Sequence, residues 1–301
     1  MEYRQLYGAF KTIAGLLRNN DVIDLGSDTN EINTSKDVKK NIDLLANDTI
    51  VSSLKNIDSV IGYISEEEEE LVLFEKKEHC KNGTVIIFDP LDGSKNVMSN
   101  ITVGTIYGIY KYDVENDKII DIIETGYSLY GPSTQLVRTV NKEKVVLYHL
   151  GEDNEFHEIK TLSKPSDNSV YSINMSYEYE KDVEYFIHTM KQDGCTQRWC
   201  GAMVADAHQV IIRGGTFIYP SSTKMKKGKI RFLYEALPLS YLFTLLDCVA
   251  VDINIMPILN RISFMKLSDC DIHGETPVIL TTYYDNKELR NIFELNDLIK
   301  C

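Results

Sequence analysis

Val85-Ile86-Ile87-Phe88-Asp89-Pro90-Leu91-Asp92-Gly93-Ser94-Lys95-Asn96 is the stretch on which the reading of this chain turns. Val85 to Phe88 are β-branched, apolar or aromatic and predict a buried strand. Asp89-Pro90 predicts its end, because proline removes a ladder donor and fixes φ. Asp92 returns a second carboxylate three residues later. Gly93 allows a tight backbone, and Ser94 is placed to cap a following helix. Two carboxylates held close together repel unless a cation lies between them. An oxygen-only set of this kind suits Mg²⁺ or Mn²⁺, which keep waters and bind substrate phosphate. The amides of Gly93 and Ser94 at a helix start form an anion site. An ordinary acidic turn is the competing account, since Asp-Pro and Asp-Gly are common turn pairs.

Upstream, the apolar run 61–64 ends in Ser65 and the five glutamates 66–70. Alone, this reads as a solvated acidic helix start. Beside Asp89 and Asp92, Glu66 and Glu67 become candidate metal ligands or a base for water. Leu6, Phe10, Ile13 and Leu17 have near-helical spacing and predict an amphipathic N-terminal helix. The polar stretch 19–35 predicts a loop, and 36–54 a second helix. Downstream, 103–112, 119–123 and 134–140 predict strands. The composition break at 163–169 predicts two domains, 1–163 and 164–301. In the second, 202–213 predicts a helix, 216–219 and 230–234 strands, and 239–246 a helix.

The 301 residues are 43% hydrophobic and 26% charged, with Lys+Arg 32 against Asp+Glu 45, a net charge of −13. That composition excludes a disordered chain. The acidic balance argues against nucleic acid as a partner, while small phosphorylated metabolites stay possible through local cations or metals. No apolar run reaches a membrane span, and the N-terminus lacks a signal-peptide pattern. The six cysteines form no CxxC pair, which points to free thiols and a cytoplasmic location. Positive charge gathers at Arg198, Lys224, Lys226, Lys227, Lys229 and Arg231. A solvated loop accounts for 224–227 as well as a phosphate pocket does. Lys229 and Arg231 share one strand face and are the better phosphate candidates. His208, on the 202–213 helix, reads as a capped or surface histidine.

Taken together these segments resemble the fructose-1,6-bisphosphatase family of metal-dependent, lithium-sensitive phosphatases. The likeness runs through DVKKNIDLLAND (37–48), YISEEEEE (63–70), FDPLDGSKN (88–96), TVGTIYGIY (102–110), YSINMSYEY (171–179), RWCGAMVADAHQVIIRGGTFIYP (198–220), KGKIRFLYEALPLSYL (227–242) and HGETPVIL (273–280). It implies an α/β (α+β) fold of layered αβαβα type in two halves, with the active site between them. It implies Mg²⁺-dependent hydrolysis of the 1-phosphate of fructose 1,6-bisphosphate, a step of gluconeogenesis, with two or three Mg²⁺ (or Mn²⁺) per site. Carried over by position, Glu66, Glu67, Asp89, Asp92, Glu235 and the Leu91 carbonyl would bind metal. Asp43 and Glu67 would activate water, and Gly93 and Ser94 would hold the scissile phosphate. Asn174, Tyr177, Tyr219 and Lys229 would hold the distal phosphate. Arg198 would reach that phosphate in a neighbouring subunit of a homodimer or homotetramer, and Arg231 would steady the loop around Asp37 and the metal site.

The chain also departs from the family pattern. Lys95 replaces a serine, Met98 an aspartate and Trp199 a tyrosine, and a Gly-Gly pair is missing after Leu245. Gly83 and Thr84 stand where AMP-inhibited members carry Lys-Tyr, and the chain begins near the first helix of that site, which together imply little AMP inhibition. These departures keep two alternatives open: sedoheptulose 1,7-bisphosphate or an inositol phosphate as substrate, and a non-catalytic sugar-phosphate-binding relative.

Overall fold

Apolar side chains at helical spacing make the helix Arg4–Asn19, which buries Leu6, Phe10 and Ile13. Leu17 lies partly buried at the end of the same stripe. The structure, a computed structural model, describes residues 2–19, 27–32, 38–75, 81–165, 170–252, 254, 256–264, 266–285, 287–289 and 291. Strands β1 (Asp28–Ile32) and β2 (Val38–Lys40) pair antiparallel ahead of the helix Asn41–Leu54. The expected loop at 19–35 therefore contains a strand, and the expected helix starts only at Asn41. Strand pairing gives this polar backbone its hydrogen bonds, a tertiary choice that side-chain pattern does not display. The Asn41 amide donates to the Ser27 carbonyl at 3.2 Å and its side chain to the Ser27 hydroxyl at 2.8 Å, which pins the junction.

Then follow β3 (Val60–Ser65), β4 (Val72–Leu73), β5 (Asn82–Asp92) and β6 (Val103–Asp113). Next come β7 (Lys118–Tyr130), β8 (Thr134–Val140), β9 (Lys144–Leu150) and β10 (Phe156–Leu162). These form one eight-stranded sheet in the order β10-β9-β8-β7-β6-β5-β3-β4, antiparallel except where β3 runs beside β5. After it come β11 (Val170–Ser172), β12 (Thr196–Gln197), β13 (Gly215–Tyr219) and the two-residue β14 (Ile230–Arg231). The chain adds β15 (Val249–Val251), β16 (Glu275–Thr276) and β17 (Val278–Thr281). A second sheet has the order β12-β11-β13-β17-β15, and β14 pairs with β16.

Alternation along β5 shows how the layers stack. Ile86 and Phe88 join the core under the helices Arg4–Asn19 and Asn41–Leu54. Val85 and Ile87 point the other way, into a core shared with the helices Met203–Arg213 and Leu237–Leu245 and with Phe217 of the second sheet. The far face of that sheet carries Ile218 and Ile279 against Val183, Phe186 and Met190 of the helix Lys181–Gln192. Helices, sheet, helices, sheet and helix alternate, as the layered αβαβα reading expects.

Three local expectations change. The strand expected at 230–234 is two residues long, and Phe232–Ala236 winds as a π-turn. The helix expected at 239–246 runs Leu237–Leu245, with Pro238 in its first turn, where no amide donor is needed. Where the Gly-Gly pair is missing, Asp247 takes the left-handed backbone with φ 55°, a conformation aspartate tolerates better than most residues.

Candidate active site

β5 does not stop at Asp89 as its proline suggests. It continues to Asp92, with Asp89 opposite Ile106 and Asp92 opposite Gly104 of β6. Three steps on one strand thus face two on the other, which is a bulge. In a regular strand, residues three apart point to opposite faces. The extra residue turns both carboxylates to one side. Thr105 fastens the bulge by donating its hydroxyl to the Pro90 carbonyl at 2.8 Å, and the Leu91 amide donates to Asp89 Oδ1 at 2.9 Å.

The expected Ser94 cap is not made. Gly93 is the N-cap of a short 3₁₀ helix, Ser94–Ser99, at φ 81° and with no side-chain cap. A Cβ on Gly93 would lie 2.3 Å from that of Ala202. Glycine is therefore required both for the left-handed turn and for the close approach of the chain that begins the helix Met203–Arg213. The first amides of that helix reach the site: Val204 N–H donates to Asp92 Oδ2 at 2.6 Å. Asp206 accepts from the Cys200 and Gly201 amides at 2.9 and 3.2 Å and fixes the preceding loop.

One cavity of about 160 Å³ is lined by Asp43, Glu66, Glu67, Asp89, Leu91, Asp92, Gly93, Ser94, Lys95, Gly201, Lys229 and Glu235. It gathers residues expected for metal, for water activation and for the scissile phosphate. Carboxylate oxygens of Asp89, Asp92 and Glu235 lie within 4.8 Å of one another. Burial, then the neighbouring acids, push Glu66 up to about 8 and hold Asp89 and Glu235 well above the usual carboxylate range. Burial pushes Asp92 up to about 7, against the pull of the Val204 amide and Lys229. An all-oxygen set whose members repel one another fits a hard divalent cation, which would remove that repulsion.

Arg231 stands just outside the cavity. Its amide donates to Glu235 Oε2 at 2.5 Å, and its guanidinium meets Glu275 Oε1 at 3.1 Å and the His273 carbonyl at 3.0 Å. Asp37, expected beside it, lies outside the described residues. Lys229 faces the acids. Asn174, Tyr177 and Tyr219 form a separate group, in which the Asn174 carbonyl accepts from the Tyr179 hydroxyl at 2.6 Å and the Tyr177 and Tyr219 rings lie 6.4 Å apart. Trp199 packs on Tyr219 with ring centres 5.9 Å apart. Arg198 is exposed, as are Lys224, Lys226 and Lys227, whose cluster is a solvated loop. His208 is capped, as the sequence suggests, with a tyrosine as its partner. It is partly buried, its Nδ1 lies 2.9 Å from the Tyr127 hydroxyl, and burial lowers it to about 4.

Sequence reasoning missed Asp206, Thr105, His273 and Glu275. Only the tertiary contacts just given reveal them; His273 and Glu275 lie within a quoted block, but spacing assigns them no chemistry.

The profiles "Fructose-1-6-bisphosphatase, N-terminal domain" and "Fructose-1-6-bisphosphatase, C-terminal domain" match residues 3–157 and 164–280. The chain is 30% identical to the class 1 fructose-1,6-bisphosphatase of Sulfurihydrogenibium sp. over 95% of its length and 88% of the relative's. It is 32% identical to that of Psychrobacter cryohalolentis over 90% and 86%. A crystal structure of Leishmania major fructose-1,6-bisphosphatase in its holo form superposes with a TM-score of 0.83, at 26% identity, over 98% of this chain and 94% of that one. With both profiles spanning most of its length and the bulged Asp89–Asp92 pair at its centre, this chain belongs to the fructose-1,6-bisphosphatase family, a family of phosphoric monoester hydrolases.

Proposed function

We propose that this chain hydrolyses the 1-phosphate of fructose 1,6-bisphosphate to fructose 6-phosphate and inorganic phosphate, with Mg²⁺ as its cofactor. The observation that carries the reading is the single cavity holding Asp43, Glu66, Glu67, Asp89, Asp92 and Glu235 beside the amides of Gly93 and Ser94. Glu66, Glu67, Asp89, Asp92, Glu235 and the Leu91 carbonyl would hold the metal, which neutralises phosphate charge and acidifies bound water. The Gly93 and Ser94 amides hold the scissile phosphate at the start of the 3₁₀ helix. Asp43 and Glu67 orient the attacking water and accept its proton as the water oxygen bonds to phosphorus. The bond between phosphorus and the sugar oxygen breaks, and the sugar alkoxide takes up a proton.

Asn174, Tyr177, Tyr219 and Lys229 hold the distal phosphate. Retention of this second group supports a bisphosphate over a monophosphate. Arg198 completes the distal site of a neighbouring subunit in a homodimer or homotetramer, a role its exposure permits. Arg231 positions Glu235 through its amide. The chain divides at 163/164, a reading supported by the separate sheets on either side. The free thiols of Cys200, Cys248 and Cys270 support a reducing, cytoplasmic setting. Among the described residues, no helix is long and apolar enough to cross a membrane.

The test is phosphate release from fructose 1,6-bisphosphate, sedoheptulose 1,7-bisphosphate, inositol phosphates and fructose 6-phosphate, with and without Mg²⁺. Fructose 1,6-bisphosphate is expected to give the highest kcat/KM, and only with metal. Metal-independent release, or no release from any bisphosphate, overturns the reading.

A further inference from the structure

The acids of the site come from distant parts of the chain, and one side chain touches both sources. Glu66 and Glu67 follow β3, while Glu235 lies in the π-turn. His273 Nε2 lies 2.9 Å from the carbonyl oxygen of Glu68, the residue after Glu67. Its Nδ1 lies 3.1 Å from the hydroxyl of Tyr234, the residue before Glu235. Its own carbonyl accepts from Arg231, whose amide in turn donates to Glu235.

The hydrogen-bond roles follow from the partners. Burial lowers His273 below its ordinary range, so the ring is neutral and carries one N–H. A carbonyl can only accept, which places that proton on Nε2. Nδ1 then accepts from the Tyr234 hydroxyl. Glu68 is also anchored from its other side. Its carboxylate accepts from Asn47 at 3.4 Å and from the Tyr63 hydroxyl at 3.5 Å. Asn47 accepts from Ser65 at 2.7 Å. The turn that carries Glu66 and Glu67 is therefore held at Glu68 by the first half of the chain through its side chain, and by the second half through its carbonyl.

We propose that His273 is a positioning residue for the divalent-cation site, clamping the Glu68 carbonyl and the Tyr234 hydroxyl so that Glu66 and Glu67 keep their spacing to Glu235. The proposal rests on the reading of those three acids as ligands. Mutually repelling carboxylates spread when their supports are removed, and loss of a group that orients metal ligands costs roughly 10- to 100-fold in affinity.

The test is Mn²⁺ binding to the purified full chain, read from the electron paramagnetic resonance of free Mn²⁺ with no substrate present. His273→Ala is expected to weaken binding by about tenfold or more. His273→Gln places an amide N–H near the position of Nε2 and is expected to restore most of the affinity. His273→Asn reaches only the position of Nδ1 and is expected to bind as weakly as the alanine variant. Wild-type affinity in a folded His273→Ala, or equal rescue by Asn and Gln, overturns the proposal. If the alanine variant fails to fold, the Gln and Asn variants decide it. A wild-type chain that binds no Mn²⁺ overturns both the ligand reading and this proposal. One that binds Mn²⁺ but cleaves no sugar bisphosphate overturns the assigned activity alone.

Discussion

Two groups of buried charge adjoin the eight-stranded sheet, one beneath a helix and one at a strand end, and they are built on opposite rules. On the face under the helix Arg4–Asn19, a single acid, Glu124, is fully supplied with donors. It accepts from Tyr7 at 2.5 Å, Tyr107 at 2.7 Å and Arg138 at 2.7 Å. The Arg138 guanidinium lies 5.2 Å from the Tyr7 ring centre and 5.1 Å from that of Tyr148, within reach of cation–π attraction. At the end of β5 the ratio is inverted. Asp43, Glu66, Glu67, Asp89, Asp92 and Glu235 line one cavity with, among the described residues, only Lys95 and Lys229 as cations. Folding alone completes the first group, while the second is completed by something the protein must bind. A buried pair satisfied within the chain is a structural feature. A buried excess of one sign, facing a cavity, is a site.

The contrast makes crossed predictions. The largest effect on stability is expected from Glu124→Gln, which removes the charge and leaves Arg138 buried beside a neutral amide. Breaking such a pair costs about 3–5 kcal/mol. The midpoint of urea unfolding should fall accordingly, with the specific activity of the folded fraction unchanged. An unchanged midpoint would mean that Glu124 contributes no more than a neutral acceptor.

Asp92→Asn should do the reverse. It should cut Mg²⁺-dependent hydrolysis by at least about 10²-fold, the scale of losing one main electrostatic stabiliser. In EDTA it should leave the fold at least as stable as wild type, because one repelling charge is gone. Near wild-type hydrolysis in the purified variant would remove Asp92 from the site.

The third effect is a dependence on pH. Glu66 and Asp92, pushed up to about 8 and about 7, bind protons in the folded chain that the unfolded chain has already released. Between pH 6.5 and 8.5 the folded state therefore holds more protons, and stability must fall as pH rises. His208, lowered to about 4, acts in the opposite sense, but mainly below about pH 6.5, where the unfolded imidazole is more than half charged. In EDTA the melting temperature should drop across this window. Saturating Mg²⁺ should raise it more at pH 8.5 than at pH 6.5, since a cation and protons compete for the same oxygens. A flat profile in EDTA would mean that the acids do not repel as their burial implies.

The two groups were not equally legible in the sequence. Asp89 and Asp92 announce themselves by spacing and by proline and glycine chemistry, and the glutamates by their run. What spacing does not disclose is why residues three apart share a face, because the bulge is a register event between β5 and β6. Proline chemistry likewise suggested a strand end where a bulged strand continues. The Glu124–Arg138 pair left no local sign. Its members lie 14 residues apart on β7 and β8, and only the hairpin register brings them together. His273 is further removed still, 205 residues from the carbonyl it meets. The layered fold was legible through resemblance and alternation, whereas short elements such as β2 and the π-turn depend on tertiary partners.

The smallest effect separates charge from helix docking within the Glu124 group. Tyr7→Phe keeps the ring, and with it the packing on Phe10 and the contact with Arg138. It deletes only the hydroxyl that donates to Glu124 Oε1, and that oxygen still accepts from Tyr107. The loss is therefore one hydrogen bond to a charged acceptor that keeps its other partners, about 1.5 kcal/mol at the low end of the range for such bonds. The urea midpoint should fall by less than half the shift seen for Glu124→Gln, with no change in KM for the bisphosphate or in half-saturating Mg²⁺. If Tyr7→Phe costs as much as Glu124→Gln, then seating of the helix Arg4–Asn19, rather than neutralisation of Arg138, is what this group supplies.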